Sequence, residues 1–272
     1  PKPKATASAA APSSDSAASD PLPEVPWRFP AAKRVVALGD VHGDLAATKA
    51  ALKLGGLIDD DDHWSGGDAV LVQTGDVLDR GSDEQAILDL LLELQEEAAK
   101  AGGAVRLLNG NHELMNAMGD FRYVTPGGFD DFQDTPMGDD GRVARFPMAQ
   151  RGLAAALLPG GIYAKKRATH PVAAVVGDTV YAHGGVLPKY AGELDRMNRE
   201  VGAWLLGTHG AGARVVQTQD SPVWSRHYSD EPDASDCALL DQALKALGAK
   251  RMVVGHTVQK TINTACDEKI WR

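Results

Sequence analysis

Cysteine is nearly missing from this chain: 272 residues contain two, Cys237 and Cys266. A disulfide framework of the kind that staples small secreted domains is thereby excluded. One bridge is the most that can form, and two free thiols are the expectation. Long hydrophobic runs are missing too, since none approaches the ~18 residues that a membrane-spanning helix needs. Positive charge is in deficit: 28 Lys and Arg against 37 Asp and Glu leave a net charge of -9. That balance argues against a general nucleic-acid binder, whose surface is basic, although a local positive pocket can exist in an acidic protein. What remains is 43% hydrophobic residues on a chain long enough for one large domain with a sizeable core.

Residues 1–30 are a different material from the rest. The stretch PKPKATASAAAPSSDSAASDPLPEVP is Ala, Ser and Pro with almost no large apolar side chain. Burial cannot offset the entropy of ordering it, so a disordered linker is expected over 1–30 and a single catalytic domain over 31–272. The segment has neither an initiating Met nor an apolar signal core. It suits a tether behind a removed export or lipid-anchor signal, hence an exported protein in a bacterial periplasm, with plastid or cytoplasm as alternatives. At the other end, KIWR (269–272) begins a further strand, as if the domain continued.

From residue 31 apolar runs alternate with helical patterns. RVVALGD reads as a buried strand, and DLAATKAALKLGG as a helix started by Asp44 and stopped by Gly55 and Gly56. DAVLVQTGD is a second strand. A helix follows, with a capping box from Ser82 and Gln85, an apolar face of Ile87, Leu88, Leu91, Leu92 and Leu94, and a stop at Gly102 and Gly103. AVRLLNGN is a third strand, VAAVVGDTVYAHGG a hairpin turning at Gly177–Asp178, and RMVVGH a later strand. Helices are expected around 188–206 and 236–248. Such alternation implies a layered α/β architecture.

The strand ends share a feature. VVAL runs into Gly39–Asp40, VLVQT into Gly75–Asp76, VRLLN into Gly110–Asn111, VYA into His183–Gly184 and MVV into Gly255–His256. One Gly-Asp pair is merely a turn signal. Five strands that each deliver an oxygen or imidazole donor beside a glycine, at the strand ends where α/β sheets bind ligands, point to a metal site. The donors suit Mn, Fe or Zn, and the scarcity of Cys argues against a closed structural zinc site.

The motifs GDVHGD (39–44), GDVLDRG (75–81), GNHE (110–113), HGG (183–185) and GHT (255–257), in that order over residues 34–257, resemble the calcineurin-like metallophosphoesterases of the phosphoprotein phosphatase superfamily. GNHELMNAMGDFRYV and SPVWSRHY resemble the Shewanella-like protein phosphatase branch. Val258 stands where many other metallophosphoesterases carry a second His, a departure that matches the protein-phosphatase side.

The resemblance implies two mixed β-sheets sandwiched between helices. It implies a metal-dependent phosphomonoester hydrolase acting on phosphoproteins or phosphopeptides, phosphotyrosine first, with two divalent cations, manganese first and iron or zinc as alternatives. Asp40 and His42 are expected to bind the first cation, Asp76 to bridge both, and Asn111, His183 and His256 to bind the second. Cations about 3.5–4 Å apart can share and activate a hydroxide for direct attack on phosphorus. Arg80 and Arg226 are expected to grip the phosphate, and His112, oriented by Asp79, to protonate the leaving oxygen. A neutral Asn111, rather than a carboxylate, keeps the site net positive toward a phosphomonoester dianion. A monomer without nucleic-acid partner completes the reading.

Other residues receive plainer expectations. Glu113 is assigned to support, as a partner of the helix start. The run Asp59–Asp62 with His63 reads as a solvated turn, His170, His209 and His227 as surface or loop residues, and Trp224 as core. The irregular stretch 121–134 is long enough to wall a site, with Arg122 and Tyr123 near substrate. Two alternatives stand beside the phosphoprotein reading. A small-molecule phosphohydrolase, acting on nucleotides or dinucleoside polyphosphates, is disfavoured by GNHE in place of GNHD and by the 121–134 insertion. An inactive binding module is disfavoured because every ligand, acid and arginine position is filled.

Overall fold

Alternation along the strands sorts their side chains into layers. A computed structural model describes residues 22–210 and 217–272; the reading of 1–21 as linker lies outside the described residues. Strands β2 (Val35–Leu38), β3 (Val70–Gln73) and β4 (Ala104–Leu107) form a three-stranded sheet, parallel throughout. The second sheet is mixed and runs β1-β5-β6-β7-β9-β8. Its members are β1 (Arg28–Phe29), β5 (Ala173–Val176), β6 (Thr179–Ala182), β7 (Arg251–Val254), β8 (Thr264–Ala265) and β9 (Ile270–Trp271). Val72 of β3 meets Ala174 and Val176 of β5 and Tyr181 of β6 between the two sheets. The residues that alternate with them face outward: Leu71, Val105 and Leu107 pack on the flanking helices of one side, Ala173, Val175, Val180 and Ala182 on those of the other. The result is a sheet-on-sheet sandwich clad by helices.

Among the described residues the α-helices are α1 (Leu45–Leu54), α2 (Glu84–Lys100), α3 (Asn111–Ala117), α4 (Pro126–Asp131), α5 (Arg151–Leu157), α6 (Ile162–Arg167), α7 (Leu194–Leu205) and α8 (Ala234–Leu247). Asp44 caps α1 as expected, its carboxylate accepting from the Ala47 N–H at 2.8 Å. The start of α2 differs from the sequence reading. Its N-cap is Asp83 and makes no side-chain cap bond. Ser82 turns to the Thr125 hydroxyl, and the Gln85 N–H donates to Asp131 Oδ2 at 2.6 Å, so contacts from α4 replace the capping box.

Two other expectations are corrected. Residues 22–30 belong to the domain and not to a linker: Val25 is buried, and Arg28–Phe29 pair in parallel with Val175–Val176 at the sheet edge. Their few apolar side chains suffice because the edge of β5 supplies backbone partners. Cys237 and Cys266 are joined in a disulfide, not free, with Cα atoms 5.2 Å apart. The pairing of β8 with β9 brings Cys266 back beside the first turn of α8, a proximity that a separation of 29 residues does not reveal. Closing a loop of that size is worth about 3–4 kcal/mol on chain-entropy arguments.

Glu84, the first residue of α2, is 1% exposed, and neither carboxylate oxygen has a hydrogen-bond partner among the described residues. Burial, followed by the charges of Asp131, Asp79 and Asp83, pushes its carboxyl up to about 7. A raised acid favours the folded state at low pH, and that benefit is lost as pH rises from the ordinary glutamate range through 7. Glu84→Gln is therefore expected to gain stability over the parent protein as pH rises across this window, reaching about 2 kcal/mol at pH 8 after solvent screening. Urea melts at pH 5 to 8 measure it, and a difference constant with pH would contradict it.

Candidate active site

Each site residue follows a strand, and the chain turns sharply to present it. His42, Asp76, Asp79, Arg80 and His256 all have positive φ, at 44°, 58°, 71°, 68° and 65°. Non-glycine residues rarely adopt this region; among the described residues five others, Asp62, Glu231, Cys266, Asp267 and Glu268, do so in turns away from the site. The turns are tied to one another. The N–H groups of Val41 and His42 donate to the Asp76 carbonyl at 3.1 and 3.0 Å, and the Gly255 N–H donates to the His183 carbonyl at 2.9 Å. Two glycines permit the close approach. A Cβ on Gly110 would lie 2.3 Å from Asp76 Oδ1, and one on Gly81 would lie 2.3 Å from the His42 carbonyl.

Six residues from five strand ends converge here. Asp76 is 1% exposed, and its Oδ2 lies 3.7 Å from His42 Nε2, 3.8 Å from His112 Nε2 and 3.1 Å from His183 Nε2. His183 Nε2 lies 2.8 Å from Asn111 Oδ1 and 3.1 Å from His256 Nδ1. Asp40 Oδ1 stands 3.7 Å from His183 Nδ1, and its carboxylate accepts from the His256 N–H. The ligand atoms of His42, Asp76 and His112, and those of Asp76, His183 and His256, lie within 4.8 Å of one another in each set. Asp76 is common to both sets.

The electrostatics suit cations. Burial opposes ionisation of Asp76, yet the imidazoles of His183 and His112 hold its carboxyl well below the usual range. Burial likewise opposes charge on His183, but Asp76 and Asp40 raise it to about 9. Positive charge is thus favoured where divalent cations would bind, since the buried Asp76 carboxylate, with half-buried Asp40 beside it, demands it. Burial, with the charges of His183 and Arg226, pushes His256 down to about 3, so its imidazole is neutral, the form that ligates. The donor set therefore fits a pair of hard-to-borderline divalent cations.

His112 offers a nitrogen to the first set, but its surroundings give it another task. Its Nδ1 is 2.5 Å from Asp79 Oδ2, and Asp79 Oδ1 accepts from the Asn116 amide at 2.8 Å. Burial disfavours the charged ring, and the hydrogen bond to Asp79 with the charges of Asp76 and Asp79 reverses that, raising its pKa. The Arg80 guanidinium lies 3.2 Å from His112 Nε2, a neighbour that repels a cation at this spot. Arg226, on the opposite side, donates to the His256 carbonyl and the Thr257 hydroxyl at 3.3 and 2.8 Å. Both arginines are exposed at the mouth, one beside each ligand set.

Supporting residues are sharply defined. The Glu113 carboxylate accepts four backbone N–H groups, from Asp76, Val77, Leu78 and Gly110, at 2.7 to 3.2 Å. It fastens the turn after β3 to the start of α3 and touches no candidate substrate position. Asn116 escapes the sequence reading; its spacing, one helical turn after His112, is the signal that could reveal it. Arg167 escapes too: it is 2% exposed and donates to the Glu113 carbonyl from behind α3. His170, expected as a surface or loop residue, lies in the loop before β5 but is buried there, and burial with nearby Arg167 lowers it to about 3. Asp62 pairs with Lys49 and Lys53, and His63 with Glu97, as befits a charged turn. His227 is exposed and His209 is half-buried in a loop. Trp224 is half-buried against the α3, α6 and α7 cluster, with its ring edge-on to His256 at 5.8 Å.

Comparison with known proteins bears on this geometry. The family model for calcineurin-like phosphoesterases matches residues 33–260. Shewanella-like protein phosphatase 2 of Arabidopsis thaliana is 41% identical over 279 residues, covering 90% of this chain and 71% of the plant protein. Shewanella-like protein phosphatase 1 of Plasmodium berghei is 30% identical, covering 83% of this chain and 61% of that protein. The crystal structure of the cold-active protein-tyrosine phosphatase of a psychrophilic Shewanella species superposes with a TM-score of 0.72 at 27% identity, covering 90% of this chain and 72% of that one. A sandwich of two sheets with donors gathered at their strand ends, and likeness across nine-tenths of the chain, lead to one assignment: the protein belongs to the calcineurin-like phosphoesterases and, within them, to the Shewanella-like protein phosphatases.

Proposed function

We propose that the protein is a phosphomonoester hydrolase that uses two divalent cations, manganese first, and acts on phosphoproteins with a preference for phosphotyrosine. One observation supports this reading most: Asp76 belongs to both donor sets, His112 with its Asp79 partner lies at the first of them, and Arg80 and Arg226 reach the mouth beside His112 and His256. Bound there, the cations supply Lewis acidity and a nucleophile at neutral pH. The chain's own residues do the rest. Asp40, His42, Asp76, Asn111, His183 and His256 would hold the cations, Asp76 being the residue common to both donor sets. Arg80 and Arg226 offer planar donors to the non-bridging phosphate oxygens.

The proton on His112 Nε2 goes to the leaving oxygen, while Asp79 steadies the charged ring before transfer and Asn116 fixes Asp79. An imidazolium Nε2–H and the Arg80 guanidinium cannot bond each other, so Arg80 must turn to another acceptor when His112 is the acid. A phosphate oxygen is such an acceptor. The tyrosine preference is supported by the Shewanella enzyme being described as a protein-tyrosine phosphatase.

The test uses chelated protein with manganese restored and phosphotyrosine and phosphothreonine peptides of one sequence. Phosphate release that depends on metal and is faster from phosphotyrosine is expected. No release from either peptide would overturn the phosphatase reading, and equal or reversed rates the preference.

A further inference from the structure

Outside the ligands and the phosphate grip, one side chain stands where the leaving group must go. Tyr123 is 45% exposed, and its ring centroid lies 5.1 Å from that of His112. The Arg80 guanidinium carbon is 5.7 Å from the same ring. His112 donates to the leaving oxygen in the reading above, so whatever that oxygen carries extends past His112 toward Tyr123. An aryl group has a face for the Tyr123 ring to pack on; the short alkyl stem of Ser or Thr has none.

The ring is also held in place. The Tyr123 carbonyl accepts from the Arg80 N–H at 3.0 Å, and the Thr125 hydroxyl donates to the Gly81 carbonyl at 2.5 Å. Phe121, two residues earlier, is buried against Phe129 and Phe146. The segment thus moves with the Arg80 loop, and phosphate grip and aromatic wall form one rigid arm. Rigid aromatic side chains lose little entropy when they bind, which favours this use.

We infer that Tyr123 sets leaving-group specificity: it packs on the departing aryl ring and so favours aryl over alkyl phosphomonoesters. This rests on the phosphomonoesterase reading and names the residue behind its tyrosine preference. The test compares wild type, Tyr123→Ala and Tyr123→Phe in manganese-loaded protein. The readout is the ratio of kcat/KM for a phosphotyrosine peptide to that for the phosphothreonine peptide of the same sequence. Taking the ratio relative to wild type removes the intrinsic difference between the two leaving groups.

Tyr123→Ala is expected to lower the ratio about two- to tenfold, the range for an aromatic pair, and Tyr123→Phe to keep it. Inhibition by inorganic phosphate, which has no leaving group, is expected to be the same in all three proteins; a collapsed loop would change it, because Arg80 would move too. An unchanged ratio in Tyr123→Ala, or a change matched by weaker phosphate inhibition, overturns the role of Tyr123 while leaving the hydrolase reading intact. Absence of any hydrolysis by wild type overturns that reading and this one together.

Discussion

Replacing Asp76 by Ala is expected to slow phosphate release from 4-nitrophenyl phosphate about a thousandfold or more. The estimate follows from the several kcal/mol that cation stabilisation supplies to phosphoryl transfer. Asp76 belongs to both donor sets, so its loss disconnects them, and it also leaves the His183 imidazole without the carboxylate that holds its charge. Asp76→Asn keeps the shape and removes the charge, which separates electrostatics from packing. Metal content of desalted protein and kcat/KM with manganese added back are the measurements. Wild-type kcat/KM with two equivalents of cation retained in either variant would disprove the bridging role.

The second large effect concerns the proton. His112→Ala is expected to lower kcat on a phosphotyrosine peptide about 10²- to 10³-fold with KM little altered, because general-acid help is needed only as the ester bond breaks. A leaving group that departs readily as an anion needs less help, so the loss on 4-nitrophenyl phosphate should be smaller. Asp79→Asn should give a milder version of the same pattern, since the ring remains but loses its anionic partner at 2.5 Å. A His112→Ala protein that loses equal factors on both esters would show that His112 serves the cations or the fold and not the leaving group.

The ends of the strands were the most readable part of the chain. VVALGD, VLVQTGD and RMVVGH mark both a parallel strand and the donor behind it, because one local signal, an apolar run halted at glycine, fixes the two together. Cross-chain events were hidden. Ser82 and Gln85 have the spacing of a capping box, but Thr125 and Asp131 of another segment claim them. Trp27 to Phe29 look too sparse to fold until the edge of β5 offers hydrogen bonds. The helices α5 and α6 leave no clear period: RGLAAAL and IYAKKR are short, and small residues are buried on several sides of the first. His170 offered no pattern because its environment is made by Arg167 and Asn109, whose amide holds the His170 carbonyl at 2.6 Å. Asn116 and Glu113 show the same limit at the site itself. Their residue types are legible, whereas the partners that tie them to the turn after β3, Val77 and Asp79, lie 36 and 37 positions away.

The left-handed backbone at His42, Asp76, Asp79, Arg80 and His256 has an evolutionary corollary. Each such conformation costs on the order of 1–3 kcal/mol, a noticeable share of the 5–15 kcal/mol that keeps a domain folded. Glycine would relax the chain at any of the five while deleting the group it presents. Selection for thermal robustness alone would therefore favour glycine at these five places, at the expense of the side chains they present.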